Sequence, residues 1–429
     1  MADVALLLAG GTVVDATGTR RADVAVGGNG DIVAVGPDLE RPGGAQVLDV
    51  TGCTVAPGLV DLHTHLREPG GEEAETVESG SRAAALGGYT AVVAMPNTVP
   101  AIDSAAVVRQ VQELGATALC DVFPAGTITV GRSGTRLSPL AEMASLGVRL
   151  FTDDGTGVAD SRLMRRALEY ASSLGVTLAQ HCEDPALSAG GHMHEGEWSG
   201  RLGIPGQPAA AEELMVARDI ALSRLTGAPV HLLHLSTAGS VALVRQAKAD
   251  GVAVTAEAAP HHFTLTDEAC ATYDPVFKVH PPLRTPDDVA AVRAGLADGT
   301  IDAIATDHAP HAVEAKEAPF DQAPPGRLGL ETALGLALGE LDLPIEQVLG
   351  LLSWQPARIA GLADHGGPVA EGRPANLCVI DTAATWTVDP AALASRSRNT
   401  PYAGRTLTGR ARHTILRGEP VVIDCKAQR

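Results

Sequence analysis

The segment Pro57–Gly70 reads PGLVDLHTHLREPG and places two histidines at the end of an apolar run. Glycine and proline flank this run, which is typical of a buried β-strand, and side chains on a strand alternate between its two faces. His63 and His65 are therefore expected to point to the same side, with Arg67 just beyond them. Two imidazoles on one face can bind one metal ion, and a nearby guanidinium can bind a carboxylate.

The chain around this segment alternates apolar strand patterns with helical patterns. The predicted strands are Val55–Asp61, Thr90–Met95, Ala118–Phe123, Val148–Thr152, Thr177–Gln180, Val230–Leu235, Val252–Ala256 and Ile301–Ala305. The predicted helices include Ser161–Leu174, Glu212–Leu225, Ser240–Ala249 and Thr285–Leu296. Eight strand–helix units over roughly 300 residues favour an α/β fold with a TIM-like (β/α)8 barrel over an open doubly wound sheet.

Both ends of the chain differ from this alternating pattern and consist of short predicted strands separated by turn residues. The predicted strands at the two ends are Val4–Leu8, Val24–Val26, Ile32–Val35, Val47–Val50, Ala375–Ile380, Thr385–Val388 and His413–Leu416. We predict that the two ends pair into one small β-sandwich domain. The predicted division is 1–56 and 365–429 for the small domain and 57–364 for the catalytic barrel.

The composition restricts the class of protein. The 429 residues are 45% hydrophobic but only 3% aromatic, and the formal net charge is −19. That charge argues against nonspecific binding to nucleic acid. Six scattered cysteines without a C-x-x-C pair are typical of a reducing compartment. Because neither a signal peptide nor a membrane-spanning apolar run is apparent, we expect a cytoplasmic protein that does not bind membranes.

Acidic and imidazole side chains follow most of the predicted barrel strands. In such a barrel, the chemistry lies at the carboxyl ends of the strands. The candidate metal ligands at those ends are His63, His65, Asp153, Asp154, His181, His234 and Asp307. A structural zinc site normally uses cysteines in a compact tetrahedral set, so six His and Asp ligands over a barrel mouth indicate two ions with an open position. Strand periodicity leaves the choice between Asp153 and Asp154 open.

These motifs, together with Met95-Pro96-Asn97, Ala305–His311 and Gly329–Thr332, closely resemble those of bacterial type I dihydroorotases. The resemblance runs along nearly the whole chain. It implies membership of the amidohydrolase superfamily, in which a metal-dependent hydrolase barrel is joined to a small β domain. The implied reaction is the reversible cyclisation of N-carbamoyl-L-aspartate to (S)-dihydroorotate with loss of water, the third step of de novo pyrimidine biosynthesis. The resemblance also allows a homo-oligomer and an association with aspartate transcarbamoylase.

Carried over by position, the resemblance implies two Zn²⁺ ions per subunit. His63, His65 and Asp307 would bind one ion, while His181 and His234 would bind the other. Asp154 and a hydroxide would bridge the two ions. Related hydantoinases and many other amidohydrolases have a carbamylated lysine at this bridge, whereas this chain has no lysine near Gly147–Gly155.

The expected mechanism follows from the difficulty of attacking an unactivated amide at neutral pH. A zinc-bound water has its pKa lowered to about 7, so zinc-bound hydroxide is expected to attack the ring amide. Asp307 is the expected general acid and base, which takes the proton of the water and delivers it to the ring nitrogen. The residues expected to contact the substrate are His65, Arg67, Asn97, His280, His311, Pro325 and Gly326.

Two of these positions depart from the pattern of the resembled family. His280 precedes Pro-Pro-Leu-Arg, where family members commonly have asparagine, and Pro325-Gly326 stands where Phe-Gly is usual. An imidazole at position 280 can still hydrogen-bond the ring amide, although it is bulkier and titratable. Contacts made by the backbone at 325–326 do not depend on the side chain.

Two other functions remain open at this point. One is a different cyclic amidase, such as a hydantoinase or an allantoinase, which substrate preference would distinguish. The other is an inactive homologue that serves as a scaffold for aspartate transcarbamoylase. Such a homologue would be expected to lose metal ligands, whereas all six positions are filled here.

Overall fold

The computed structural model describes residues 4–41 and 43–429; Met1–Asp3 and Pro42, which belong to the predicted segment 1–56, lie outside the described residues. Its strands are, in chain order, β1 (Val4–Ala9), β2 (Thr12–Asp15), β3 (Gly18–Arg21), β4 (Asp23–Gly27), β5 (Ile32–Gly36), β6 (Gln46–Asp49), β7 (Thr54–Pro57), β8 (Leu59–Thr64), β9 (Tyr89–Ala94), β10 (Asp121–Pro124), β11 (Leu150–Phe151), β12 (Thr177–Gln180), β13 (Met193–His194), β14 (Gly206–Gln207), β15 (Val230–Leu232), β16 (Val254–Ala258), β17 (Ala303–Ile304), β18 (Leu377–Thr387), β19 (Thr406–Leu416), β20 (Glu419–Ile423) and β21 (Lys426–Ala427).

The helices alternate with the central strands. They are α1 (Val77–Leu86), α2 (Ala105–Gly115), α3 (Leu140–Ser145), α4 (Ser161–Leu174), α5 (Pro185–Ser188), α6 (Glu197–Leu202), α7 (Ala210–Thr226), α8 (Ala238–Ala249), α9 (Pro260–Thr264), α10 (Pro286–Asp298), α11 (Val313–Lys316), α12 (Ala333–Glu340), α13 (Ile345–Leu349) and α14 (Gln355–Ile359). Short 3-10 turns cover Val130–Arg132, Asp267–Thr272, Pro275–Phe277 and Pro390–Ala392, and a π-helical turn covers Gly350–Trp354.

Helix α4 has the bounds predicted from the sequence because both of its ends carry strong signals. The Asp160 carboxylate accepts a hydrogen bond from the Leu163 backbone amide at the amino end. Gly175 ends the helix in the left-handed conformation that glycine adopts without a steric penalty. The apolar residues at helical spacing, Met164, Ala167, Leu168 and Ala171, are buried against the barrel.

Eight parallel strands close into a barrel. One parallel run is β8-β9-β10 and the other is β11-β12-β15-β16-β17. Parallel bridges between Gly126 and Phe151 and between Thr64 and His308 join the two runs at both edges. The predicted (β/α)8 barrel is confirmed, and its closure brings the carboxyl ends of all eight strands to one mouth.

The predicted β-sandwich is also confirmed, with both chain ends in it. One sheet has the order β5-β4-β1-β6, and the other has the order β21-β20-β19-β18-β7-β2-β3. Strand β18 from the carboxyl-terminal part pairs antiparallel with β7 from the amino-terminal part. The apolar core between the sheets includes Leu8, Val24, Val55, Val379 and Ile415.

The prediction of one strand over Val55–Asp61 was wrong, because Gly58 divides it. Thr54–Pro57 belongs to the small-domain sheet, whereas Leu59–Thr64 is the first barrel strand. The Gly58 amide donates to the Asn376 carbonyl at 2.9 Å, outside either ladder. Pro57 therefore lies in the small-domain sheet, one residue beyond the predicted boundary at 56.

Other differences lie in the small domain. The sequence analysis did not predict β2, β3, β20 and β21 as strands. Strand β3 is mostly exposed and charged, so it lacks the apolar alternation on which the prediction relied. The predicted strands Ala375–Ile380 and Thr385–Val388 join into one long strand, β18, which bends at an irregularity between Asp381 and Thr385.

Two further properties concern the chain as a whole. All six cysteines are free thiols, as expected from their scattered positions. In the parts of the chain that the structure describes, no helix has both the length and the apolar character needed to cross a bilayer.

We expect Gly58→Ala to destabilise the protein. A Cβ atom at Gly58 would lie 2.1 Å from Thr90 Oγ1 and 2.2 Å from Thr90 Cγ2, and Thr90 is completely buried. Such overpacking should lower the free energy of unfolding by about 1–3 kcal/mol, measured by urea denaturation. Gly200→Ala is the control, because a Cβ there meets no described atom within 4 Å. Equal stability of the two variants would contradict the packing argument.

Candidate metal centre

Asp154 lies between two pairs of histidines at the barrel mouth. Its Oδ2 atom is 3.4 Å from His63 Nε2 and 3.5 Å from His65 Nε2. Its Oδ1 atom is 3.4 Å from both His181 Nδ1 and His234 Nε2. Each carboxylate oxygen therefore faces a different histidine pair, which is the arrangement required of a ligand that bridges two ions.

Asp307 faces only the first of these pairs. Its Oδ1 atom is 3.4 Å from His65 Nε2 and 3.6 Å from His63 Nε2. The backbone of Asp307 has a φ of 48°, and that of His234 has a φ of 30°. Such conformations are costly for residues other than glycine and are concentrated at functional sites. Closure of the barrel thus brings all six predicted ligands together.

The donor atoms of this cluster fit a divalent metal. The donors of His63, His65 and Asp154 lie within 4.8 Å of one another, and so do those of Asp154, His181 and His234. The His63 Nε2 atom is buried and finds no hydrogen-bond partner within the described structure. Since imidazole nitrogen and carboxylate oxygen are the ligands of catalytic zinc and related ions, the residues suit a metal centre.

The structure distinguishes the two adjacent aspartates that the strand pattern left open. Asp153 points away from the histidines and accepts hydrogen bonds from the backbone amides of Ile128 and Thr129, at 2.9 and 3.0 Å. Burial raises the pKa of Asp153 to about 6. Asp153 therefore anchors the loop after β10, whereas Asp154 faces the histidine pairs.

Glu257 on β16 supports the first histidine pair and was missed by the sequence analysis. Its Oε1 atom accepts from His63 Nδ1 at 3.1 Å, and its Oε2 atom accepts from His231 Nε2 at 3.0 Å. Burial opposes the charge, but the hydrogen bonds from His231 and His63 lower the pKa of Glu257 to about 2. The bond to Nδ1 leaves His63 Nε2 directed at Asp154 and Asp307. The available signal was an acidic residue directly after the predicted apolar strand Val252–Ala256.

His261 and Arg327 approach Asp307 from another side. Arg327 is completely buried, and its Nε atom donates to His261 Nδ1. The proton of His261 therefore resides on Nε2, which lies 4.0 Å from Asp307 Oδ2. Burial lowers the pKa of His261 well below its usual range, and the charge of Arg327 adds to this effect. A neutral imidazole thus faces the Asp307 oxygen that points away from the first histidine pair.

A cavity of about 160 Å³ opens beside the six ligands. Its lining is His65, Arg67, Asn97, Asp154, Gly155, His181, His280, Asp307, Ala309, His311, Pro324, Pro325 and Gly326. All seven residues predicted to contact the substrate are in this set. Their individual roles stay predictions.

Arg67 and His311 form one wall of the cavity. Arg67 Nε donates to the Pro310 carbonyl at 3.1 Å, and Arg67 Nη2 lies 3.4 Å from His311 Nε2. His311 Nε2 donates to the Pro325 carbonyl at 2.8 Å. Burial and the charge of Arg67 lower the pKa of His311 to about 3, so this imidazole is neutral. An anionic group here would meet a guanidinium beside a neutral ring.

Asn97 and His280 have neighbours that the sequence did not indicate. The Asn97 Oδ1 atom accepts from His65 Nδ1 at 2.8 Å, so Asn97 orients a candidate ligand as well as lining the cavity. His280 Nε2 contacts Glu183 Oε2, and its ring centre lies 5.0 Å from that of His181. Burial and the nearby His181 lower the pKa of His280 to about 4. Glu183 therefore determines which edge of the His280 ring faces the cavity.

Comparison with known proteins agrees with this geometry. Residues 52–240 match the family model described as dihydro-orotase-like. A dihydroorotase of Pelotomaculum thermopropionicum is 50% identical over 426 residues, covering 98% of this chain and 99% of that relative. One of Mycobacterium tuberculosis is 50% identical over 419 residues, covering 95% and 96%. The solved L-hydantoinase (dihydropyrimidinase) of Arthrobacter aurescens shares the fold, with a TM-score of 0.89, 24% identity and coverage of 99% and 98%.

The closed barrel, the small β domain and the His/Asp cluster at the strand ends, taken together with these dihydroorotase relatives, identify a metal-dependent hydrolase of cyclic amides, of the amidohydrolase type. Within that class, about half of all residues are identical to those of dihydroorotases over nearly the full length of the chain, and this identity determines the family. The chain belongs to the dihydroorotase family. The resemblance seen in the sequence motifs is thereby confirmed.

We expect Glu257→Gln to weaken metal retention. The amide cannot accept from both His63 and His231 as the carboxylate does, so His63 loses part of its orientation. Loss of such an outer hydrogen bond typically costs about 10–100-fold in metal affinity. The measurement is bound metal after dialysis against increasing chelator concentrations. The exposed Glu268→Gln is the control, and equal retention by both variants would refute the role of Glu257.

Proposed function

We propose that this protein is a dihydroorotase, which interconverts N-carbamoyl-L-aspartate and (S)-dihydroorotate in the third step of de novo pyrimidine biosynthesis. The observation that carries the proposal is the position of Asp154 between two histidine pairs, in a cavity that also contains Arg67 and Asp307. The full-length similarity to dihydroorotases favours this substrate over other cyclic amides.

The metal centre is proposed to hold two zinc ions. His63, His65 and Asp307 would bind one ion, His181 and His234 the other, and Asp154 with a hydroxide would bridge them. When bound, divalent ions would polarise the ring carbonyl as Lewis acids and lower the pKa of a bound water to about 7. The remaining steps depend on side chains of this chain.

Substrate binding is assigned to residues around the cavity. Arg67 would form paired hydrogen bonds to the substrate carboxylate, with Asn97 and His311 beside it. His280, oriented by Glu183, would contact the ring amide, and the backbone at Pro325-Gly326 would close the opposite wall. This binding holds the amide carbonyl next to Asp154 and Asp307.

Asp307 is the proposed general acid and base. In hydrolysis it would take a proton from the attacking water and deliver it to the ring nitrogen. In cyclisation it would take the proton of the ureido nitrogen as the C–N bond forms, and deliver it to the hydroxide that leaves the carboxyl carbon, so that water is released. Burial disfavours its charge, but contact with His65 and nearby imidazole charges lower the pKa of Asp307 below its usual value. A carboxyl group with a low pKa holds a proton only briefly, so it can pass the proton on.

The proposal also covers the organisation and surroundings of the protein. Residues 57–364 would form the catalytic barrel, and residues 1–56 and 365–429 the small domain. We place the enzyme in the cytoplasm, and the family resemblance allows both a homo-oligomer and an association with aspartate transcarbamoylase. Its partner in the reaction is a small molecule rather than nucleic acid, in keeping with a net charge of −19.

Substrate preference tests the proposed function. We expect the zinc-loaded protein to hydrolyse dihydroorotate with a kcat/KM far above those for hydantoin and allantoin. The measurement is initial rate against concentration for each compound, together with bound metal. Preference for hydantoin or allantoin would indicate another cyclic amidase. Full metal content without turnover of any of the three would favour a scaffold.

We expect Asp307→Asn to lower kcat for dihydroorotate by about 10²–10⁴-fold, because an amide cannot carry the proton. Most of the metal should remain, since the other five candidate ligands are unchanged. The measurements are steady-state kinetics and metal content. Asp302→Asn is the matched control, because Asp302 precedes the same strand at its opposite end and binds Lys248. Near-normal turnover in Asp307→Asn would disprove the assignment of this residue.

A further inference from the structure

The long connection between β18 and β19 leaves the small domain and packs against the barrel mouth. Within it, Ser395, Ser397 and Asn399 are almost completely buried. The Ser397 hydroxyl donates to the Ala74 carbonyl at 2.7 Å, and the Arg396 amide donates to Glu75 Oε1 at 3.1 Å. This short segment is therefore attached firmly to the barrel just before Asn399.

The side chain of Asn399 uses all of its polar atoms on one loop. Its Nδ2 atom donates to the carbonyls of Ala309 and Gly326, both at 3.1 Å, and its Oδ1 atom accepts from the His311 amide at 3.3 Å. The Asn399 carbonyl also accepts from the Leu328 amide at 3.0 Å. In an asparagine side chain only Nδ2 can donate to the two carbonyls and only Oδ1 can accept from the N–H. The orientation of the Asn399 amide group is therefore unambiguous.

The loop held in this way forms part of the cavity wall. The segment 309–327 begins at Ala309, contains the cavity-lining His311, and returns through Pro325 and Gly326. Its two ends meet where the Ala309 amide donates to the Arg327 carbonyl at 2.7 Å. Asn399 bonds both ends, next to this meeting point.

The region around Asn399 has little room for adjustment. Gly326 has a φ of 139°, and a Cβ there would lie 2.8 Å from both His311 Nε2 and the Ala309 carbonyl oxygen. His311 in turn donates to Pro325 O. A displacement of the Ala309 or Gly326 carbonyl would therefore be transmitted to the His311 ring.

We propose that Asn399 is a positioning residue for substrate binding, which acts by fixing His311 and the Pro325-Gly326 backbone from the small-domain connection. This inference rests on the proposed function, because it assumes that those groups bind the substrate. Asn399 itself does not line the cavity beside the metal ligands. Its effect should therefore be on substrate affinity and loop order, and metal content should not change.

The test is Asn399→Ala in the full-length, metal-loaded protein. We expect KM for dihydroorotate to rise about tenfold or more while kcat changes much less, since binding groups are displaced and the proton carrier is not. Hydrogen exchange of peptides within 309–327 should become faster. Asn399→Asp, which places a carboxylate against two carbonyl oxygens, should raise KM at least as much. Asn399→Ser replaces Asn399→Ala if the alanine variant does not fold.

Asn376→Ala is the matched control. Asn376 is equally buried and bonded on both sides, with Nδ2 donating to the Asp364 carbonyl at 3.0 Å and Oδ1 accepting from the Arg417 amide at 2.7 Å, but it lies in the small domain. The Asn376→Ala substitution should lower the stability of the protein without changing KM for dihydroorotate. An unchanged KM in the folded Asn399 variants, or an equal rise in Asn376→Ala, would overturn the inference.

The outcome can be separated from failure of the proposed function. If the unmodified protein does not hydrolyse dihydroorotate, the proposed function fails, and hydrogen exchange still reports whether Asn399 orders the loop. If the unmodified protein is active and the Asn399 variants have the same KM and the same hydrogen exchange as the unmodified protein, the proposed function stands and the positioning role is wrong.

Discussion

The burial of two carboxylates among four imidazoles is the constraint on which the rest of this molecule depends. Asp154 and Asp307 are almost completely removed from solvent, and each lies within 3.6 Å of at least two imidazole nitrogens. Unpaired charge in such a place is very costly, and polar groups there must be compensated. Divalent ions would provide that compensation for both carboxylates at once. The site is therefore built for cations and would be unfavourable without positive charge.

A second set of hydrogen bonds orients the first histidine pair, His63 and His65. Glu257 on strand β16 holds His63, Asn97 after strand β9 holds His65, and Arg327 fixes the proton position of His261 beside Asp307. Glu257 lies on strand β16 and Asn97 follows strand β9, neither of which contributes a candidate ligand, whereas Arg327 follows strand β17 in the same connection as Asp307. Ligand geometry at the mouth is thus a property of the whole closed barrel, since the loss of any one support changes the direction of a donor atom.

The small domain contributes to the same mouth in two ways. At Gly58 the chain passes directly from the small-domain sheet into the first barrel strand, which fixes the start of the strand that carries His63. At the other end, Asn399 in the connection between β18 and β19 forms hydrogen bonds to the loop that lines the cavity. A domain that supplies no metal ligand can therefore influence how substrate is held.

Local sequence patterns were sufficient for the barrel, the sandwich and five of the six candidate ligands, and the family resemblance supplied Asp154 as the sixth. Period-two alternation and polar residues after apolar strands are properties of neighbouring residues, so they can be identified without a structure. The hydrogen bonds that engage Asp153, the support by Glu257 and the bonds from Asn399 depended on tertiary structure. In each case the deciding contact joins residues far apart in the chain: Asp153 with Ile128, Glu257 with His63, and Asn399 with Gly326. The direction of a buried polar group is set by the partner that folding brings to it, and no local pattern contains that partner.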